Sequence, residues 1–219
     1  MILKSNLLAF FSPTSLVEQI NNSYTLTNHT VQTTGGPDSN HWIRGTGASS
    51  TLGVNHSGPM TWFGWVKGTS DGDDTINIVW NAAGGANRLW SNTTLLYGSS
   101  PTINFGNTYA DWVFVVISHT AGTNNTLAYK NGVYLSSVTI ANPGFTGLRF
   151  GGSGFQPTGF AKFGFLDYAV NTDEALELYN NGSGMSLSDF SVPSNNIDAS
   201  LKSPFSNSVF QSQVFKTLI

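Results

Sequence analysis

The sequence predicts an all-β protein, a two-sheet antiparallel sandwich with one short helix. Two observations carry that expectation. Residues 111–140, DWVFVVISHTAGTNNTLAYKNGVYLSSVTI, hold two β-rich runs joined by a hairpin signal. Thr126–Lys130 and Val133–Ile140 flank Asn131-Gly132, and Asn-Gly tolerates the φ > 0 that a type I′ turn requires at both central residues. The second observation is punctuation: short apolar runs recur along the chain between Gly-, Pro-, Asn- and Ser-rich segments, as expected when two sheets pack face to face.

The strand candidates, in order, are Leu7–Phe11, Tyr24–Val31, Trp42–Arg44, Met60–Lys67, Thr75–Trp80, Arg88–Trp90, Trp112–Ser118, Thr126–Lys130, Tyr134–Ile140, Leu148–Phe150 and Phe160–Tyr168. The run Leu7–Phe11 is five residues long, short of the 7–15 or so apolar residues of a secretory signal, so it reads as the first strand. Thr172–Tyr179 reads as a two-turn helix that serves as a lid or strap. Asn171 precedes it as N-cap, Asp173 and Glu174 lie in its first turn, and Asn180-Asn181-Gly182 stops it. The expected division is a β domain over residues 1–182 and a C-terminal arm or strap over 183–219. That last segment mixes Ser, Asn and Pro with large apolar residues, among them Phe205, Phe210 and Phe215. It is richer in such residues than a disordered linker.

Composition narrows function. The chain has 219 residues and no cysteine, so disulfides and thiolate metal sites are excluded. Charged residues make up 10%, less than half the usual share of about 25%. Net charge is −3 with no Lys/Arg cluster, which argues against a nucleic-acid partner. No run approaches the length of roughly 18 apolar residues that a spanning helix needs, so no membrane insertion is expected.

Three segments together resemble the laminin G-like, or concanavalin A-like, jelly-roll family of lectin-type domains. They are Met60-Thr61-Trp62-Phe63-Gly64-Trp65-Val66-Lys67; Trp112 through the hairpin Tyr129-Lys130-Asn131-Gly132-Val133; and Leu148-Arg149-Phe150-Gly151-Gly152 followed by Gly159-Phe160 and the helix ending at Gly182. The resemblance implies a jelly roll with Trp65 and Trp112 in its core. It does not fix function, because such sandwiches host lectins, glycosidases, adhesion modules and viral structural domains.

Catalysis is not expected. A glycosidase needs a carboxylate pair flanking the scissile bond, and the three glutamates, Glu18, Glu174 and Glu177, lack that context. The histidines at 29, 41, 56 and 119 have no zinc spacing. Asp71, Asp73 and Asp74 offer hard oxygen ligands for calcium, but they sit in what reads as an ordinary acidic turn. Where family members often carry an acidic pair, this chain has Ala161-Lys162. No cofactor is therefore expected, calcium being the one candidate. For glycan binding, Trp42, Trp80 and Trp90 with Asn81 and Asn87 form a candidate rim, set against the alternative that tryptophans fill the core.

The reading that follows is a non-enzymatic structural protein of a bacteriophage virion, assembled in the host cytoplasm. It would decorate the capsid or form part of a head fibre, tail or fibre. Its partners would be a major capsid or fibre protein, sister subunits in a homo-oligomer, and a host surface glycan. The competing reading is a carbohydrate-binding adhesion module of a cell-surface protein.

Overall fold

The computed structural model describes residues 1–27, 29–37, 41–45, 50–52, 56, 58–67, 89–91, 95–97, 102–106, 111–120, 125–139, 148–150 and 159–192. Within them lie thirteen strands: β1 (Leu7–Phe11), β2 (His29–Gln32), β3 (Trp42–Gly45), β4 (Ser50–Leu52), β5 (Met60–Lys67), β6 (Leu89–Ser91), β7 (Leu95–Tyr97), β8 (Ile103–Asn104), β9 (Val113–His119), β10 (Thr126–Lys130), β11 (Val133–Val138), β12 (Leu148–Phe150) and β13 (Gly159–Leu166). One helix, α1 (Thr172–Tyr179), follows β13. All the strand ladders are antiparallel.

Eight strands form the main sheet, in the order β11-β10-β9-β5-β13-β3-β2, with β1 also on β13. Strand β13 is its hub. One edge pairs along β5, while the other is shared between β3 at Gly159–Phe160 and β1 at Phe163–Leu166. The remaining strands make two small sheets, β12-β4 and β6-β7-β8.

The main sheet is covered on both faces. Alternate side chains feed two core clusters, as the period of a strand requires. The first contains Ala9, Phe11, Ile43, Trp62, Val66, Val113, Val115, Phe160 and Phe163, and receives Ile103 of β8 and Phe105. The second contains Phe10, Phe63, Trp65, Phe114, Val116, Ala161 and Leu166, and is closed by Ala175 and Leu178 of α1 with Met185 and Phe190. Two-sided burial explains why Val113–His119 reads as unbroken apolar sequence rather than an alternation.

Close approach of β5 and β13 depends on glycine. A Cβ on Gly64, whose φ is +151°, would lie 2.7 Å from Phe163 Cδ2 and 2.9 Å from Phe163 Cα. A Cβ on Gly164 would lie 2.6 Å from Phe63 Cζ. Between these contacts the register shifts, and Lys162 takes φ +49°. That strained lysine is anchored: its Nζ donates to Ser183 O at 2.6 Å.

Helix α1 has the cap the sequence announces. Glu174 N donates to Asn171 Oδ1 and Asn171 N to Glu174 Oε2, both at 3.0 Å, a reciprocal capping box. Left-handed Asn180 and Asn181 then end it, and residues 183–192 strap the second cluster. Met185 N donates to Leu178 O, Phe190 packs against Phe10 and Phe63, and Ser191 bridges Leu3. The hairpin residues Asn131 and Gly132 have φ +51° and +77°, as Asn-Gly predicts.

Several expected strands move. The span Tyr24–Val31 yields only β2, because Leu26 N donates instead to Leu16 O and Thr25 bridges Val17. The end of Phe160–Tyr168 is lost where Asp167 N turns to Asn6 O. Strands β4, β7 and β8 are too short for a sequence pattern to reveal. The candidate Thr75–Trp80 lies outside the described residues.

The buried polar groups in the core are structural. Glu18 is fully buried, and its carboxylate accepts amides from Phe10, Ile20 and Asn21. Ser118 donates to Val170 O at 2.8 Å, and Thr61 accepts from Val170 N at 3.0 Å. His119 is fully buried, with Nδ1 2.9 Å from Thr126 Oγ1. Desolvation lowers its pKa from 6.5 to about 4. Burial likewise lowers that of His29, despite a bond to Thr27 O. Protonation therefore favours the unfolded chain, so stability is full above pH 6.5 and falls as pH drops toward 4. The expected loss from His119 is about 3 kcal/mol by pH 4, at about 1.4 kcal/mol per pKa unit. Urea unfolding at pH 7 and pH 4.5 checks this; equal stabilities, or an unchanged loss in His119→Gln, would contradict it.

Candidate functional site

The described surface feature best suited to holding a ligand is an aromatic platform at one end of β3, β13, β5 and β9. Its origin is strand register. Gly159 of β13 pairs with Arg44 of β3 on one side and Lys67 of β5 on the other. The same register that pairs Val66 with Val113 brings Trp112 beside Lys67. Ile43, Phe160, Val66 and Val113 all enter the first cluster, so by alternation Arg44, Gly159, Lys67 and Trp112 face the other way. Trp42, two residues before Arg44, shares that face.

Trp42 and Trp112 meet edge to face, with ring centroids 5.6 Å apart. Gly159 makes room for both: a Cβ there would stand 3.0 Å from Trp112 Cη2 and 3.0 Å from Trp42 Cε3. Each indole N–H is taken up by one loop. Trp42 Nε1 donates to Thr34 O at 2.9 Å, and Trp112 Nε1 to Gly35 O at 2.8 Å. Both rings are half-buried, and Thr34, Gly35, Arg44 and Asp111 are exposed around them. The rings are thus oriented before any ligand arrives, and what they offer outward is apolar ring surface. Such a surface stacks on flat, C–H-rich groups.

Further along the same face, the aromatic layer becomes core. Trp65 lies edge-on to Phe114 at 5.4 Å and tilts against Tyr179 at 6.0 Å. Its Nε1 donates to Ser183 O at 3.4 Å. Trp65 is therefore buried, as the family resemblance implies. Trp112 corrects that implication. It precedes β9 at the sheet's end, packs at the margin of the second cluster and remains half-exposed.

Of the other expected site residues, Trp90 lies on β6. Trp80, Asn81 and Asn87, the acidic Asp71, Asp73 and Asp74, and Phe205, Phe210 and Phe215 lie outside the described residues. Of the expected rim, then, the structure places Trp42 on the platform and joins it to Trp112, Gly159, Arg44 and Lys67. Sequence reasoning missed these partners because it had no strand order. Once β13 is known to run between β3 and β5, the glycine opening that strand is the signal.

Catalytic geometry is not found among the described residues. Ser118 and His119 are neighbours on β9 and point to opposite faces. No group of three or more His, Cys, Asp or Glu there could hold a metal, and no helix there is long and apolar enough to cross a membrane.

The fold is similar to that of several solved binding domains. One such structure is the binding domain of Paraclostridial Mosquitocidal Protein 1, with a TM-score of 0.62 and 17% identity, covering 81% of this chain. Another comes from work on cell entry of botulinum neurotoxin type C through interaction with two ganglioside molecules. It gives a TM-score of 0.60 and 11% identity over 83% of this chain. A third is the binding domain of botulinum neurotoxin DC in complex with rat synaptotagmin II, at 0.61 and 12% over 83%. Each match covers 52% of the other chain, so this protein spans about half the length of those domains. No family model matches the chain, and no curated protein sequence does.

Proposed function

We propose that this chain is a non-enzymatic carbohydrate-binding domain of laminin G-like jelly-roll architecture. The Trp42–Trp112 pair would be its sugar-stacking surface. The observation that carries the reading is the pre-set indole pair, with both N–H groups bonded to Thr34 and Gly35 and ring surface left toward solvent. The jelly roll is supported by Ile103 and Phe105 reaching the first face of the main sheet, as a second layer would. The toxin-domain likeness supports a binding role on a host surface. A glycan array followed by calorimetry, with and without calcium, tests the proposal. Saturable binding is expected, weakened about tenfold or more by Trp42→Ala and by Trp112→Ala while each variant still unfolds cooperatively. Absence of any glycan binding, or full affinity in both variants, would sink it.

A second, compatible reading places this domain on a bacteriophage virion, in capsid decoration or a fibre, as part of a homo-oligomer. One observation favours assembly. Edge strand β11 carries no charge, and Val133 and Tyr134 are 67% and 48% exposed beside Leu176 of α1 at 52%. Uncharged edges with exposed apolar side chains invite pairing. The apolar residues of the C-terminal segment, Phe205, Phe210 and Phe215, would add burial on a partner at about 25 cal/mol per Å². A chain ending at residue 192 should remain folded and fail to join particles. Normal incorporation of that chain would contradict the arm's role.

A further inference from the structure

We infer that the ligand of the Trp42–Trp112 platform is an anionic sugar, one carrying a carboxylate or a sulfate group. This rests on the platform being the glycan site, and it goes beyond that reading in naming the ligand's charge.

The inference comes from the register. Arg44 and Lys67 flank Gly159 on adjacent strands, which separates their Cα atoms by two strand spacings, about 10 Å. Directly paired residues project from the same face. The residue between them has no side chain, and the two indoles occupy the space over it. Trp112 Cη2 and Trp42 Cε3 and Cζ3 would each stand 3.0 Å from a Cβ there, so what lies between the two cations is aromatic ring. Among the described residues neither cation makes an ion pair. Asp111, which precedes Trp112 in sequence, is exposed. In a protein with 10% charged residues and a net charge of −3, two cations in register beside an aromatic pair stand out among the described residues.

The chemistry then divides cleanly. The indoles take the C–H face of a sugar ring and are indifferent to its charge. Arg44 offers a planar fork of donors that matches a carboxylate or sulfate, and Lys67 offers a mobile point charge. A neutral sugar would use the rings alone, whereas an acidic one would engage rings and cations together.

The test compares matched oligosaccharide pairs by calorimetry: neutral chains against their sialylated, uronate-containing and sulfated counterparts, at 50 mM and 500 mM salt. Acidic members should bind at least about tenfold tighter at low salt, and the advantage should shrink at high salt. Arg44→Gln and Lys67→Gln, whose side chains lie outside the core, should each reduce the advantage, and the double variant should erase it while neutral binding persists. The sialylated, uronate and sulfated arms separate carboxylate from sulfate as the group recognised. Equal affinity for neutral and acidic partners would overturn the inference and leave the glycan site standing. An acidic preference that survives the double variant would also overturn it. No binding by any member would overturn both.

Discussion

The structure hangs on the close approach of β5 and β13. Gly64 and Gly164 each leave room for a phenylalanine of the opposite strand, Phe163 and Phe63 respectively. Those two phenylalanines point into opposite core clusters. The paired glycines thus let one sheet bury large aromatic rings on both faces at the same level. The register shift between Ala161 and Gly164, with Lys162 in a left-handed conformation, accommodates the approach. A bulge of this kind re-aims the strand. Before it, Gly159 and Phe160 pair with β3; after it, Phe163–Leu166 pair with β1.

That division sets the location of everything else. The β1 half of β13 lies under α1 and the strap, where Phe10, Phe190 and Leu178 close the second core. The β3 half opens onto the Trp42–Trp112 pair. Lys162 links the halves, since its ammonium holds the carbonyl of Ser183 at the start of the strap, which Trp65 also approaches. The conformational strain at one residue, of order 1–3 kcal/mol, is offset by a charge-assisted bond to that carbonyl and by the packing the bulge permits. The Ala161-Lys162 dipeptide departs from the acidic pair of the resembled family, and here its lysine serves as a structural anchor.

Local chemistry was legible in the sequence wherever one short segment decides the outcome. The Asn131-Gly132 turn, the Asn171 cap with Glu174, and the runs Met60–Lys67 and Thr126–Lys130 all follow from residue identity at fixed spacing. Long-range outcomes were not legible. Tyr24 to Thr27 has β propensity but folds back on residues 16–18, a choice made by Glu18 gathering amides from Phe10, Ile20 and Asn21. A lone glutamate gives no local sign of that role. The site shows the same divide. Trp42 was visible as an aromatic after a polar loop, but its pairing with Trp112 and the Arg44–Gly159–Lys67 row exist only because three strands distant in sequence lie side by side.

The dependence of the whole sheet on the β5–β13 approach is open to one direct measurement, the unfolding free energy of Gly64→Ala. The added methyl would lie 2.9 Å from the Phe163 Cα, a backbone atom that cannot swing aside, and Gly64 has a positive φ that alanine disfavours. The expected loss is about 2 kcal/mol or more, in the range of overpacked cores and incompatible backbone, with the Trp42–Trp112 signal in near-ultraviolet circular dichroism weakened at the same time. A variant within about 0.5 kcal/mol of the parent, the scatter of neutral surface changes, would contradict the central place given to this contact.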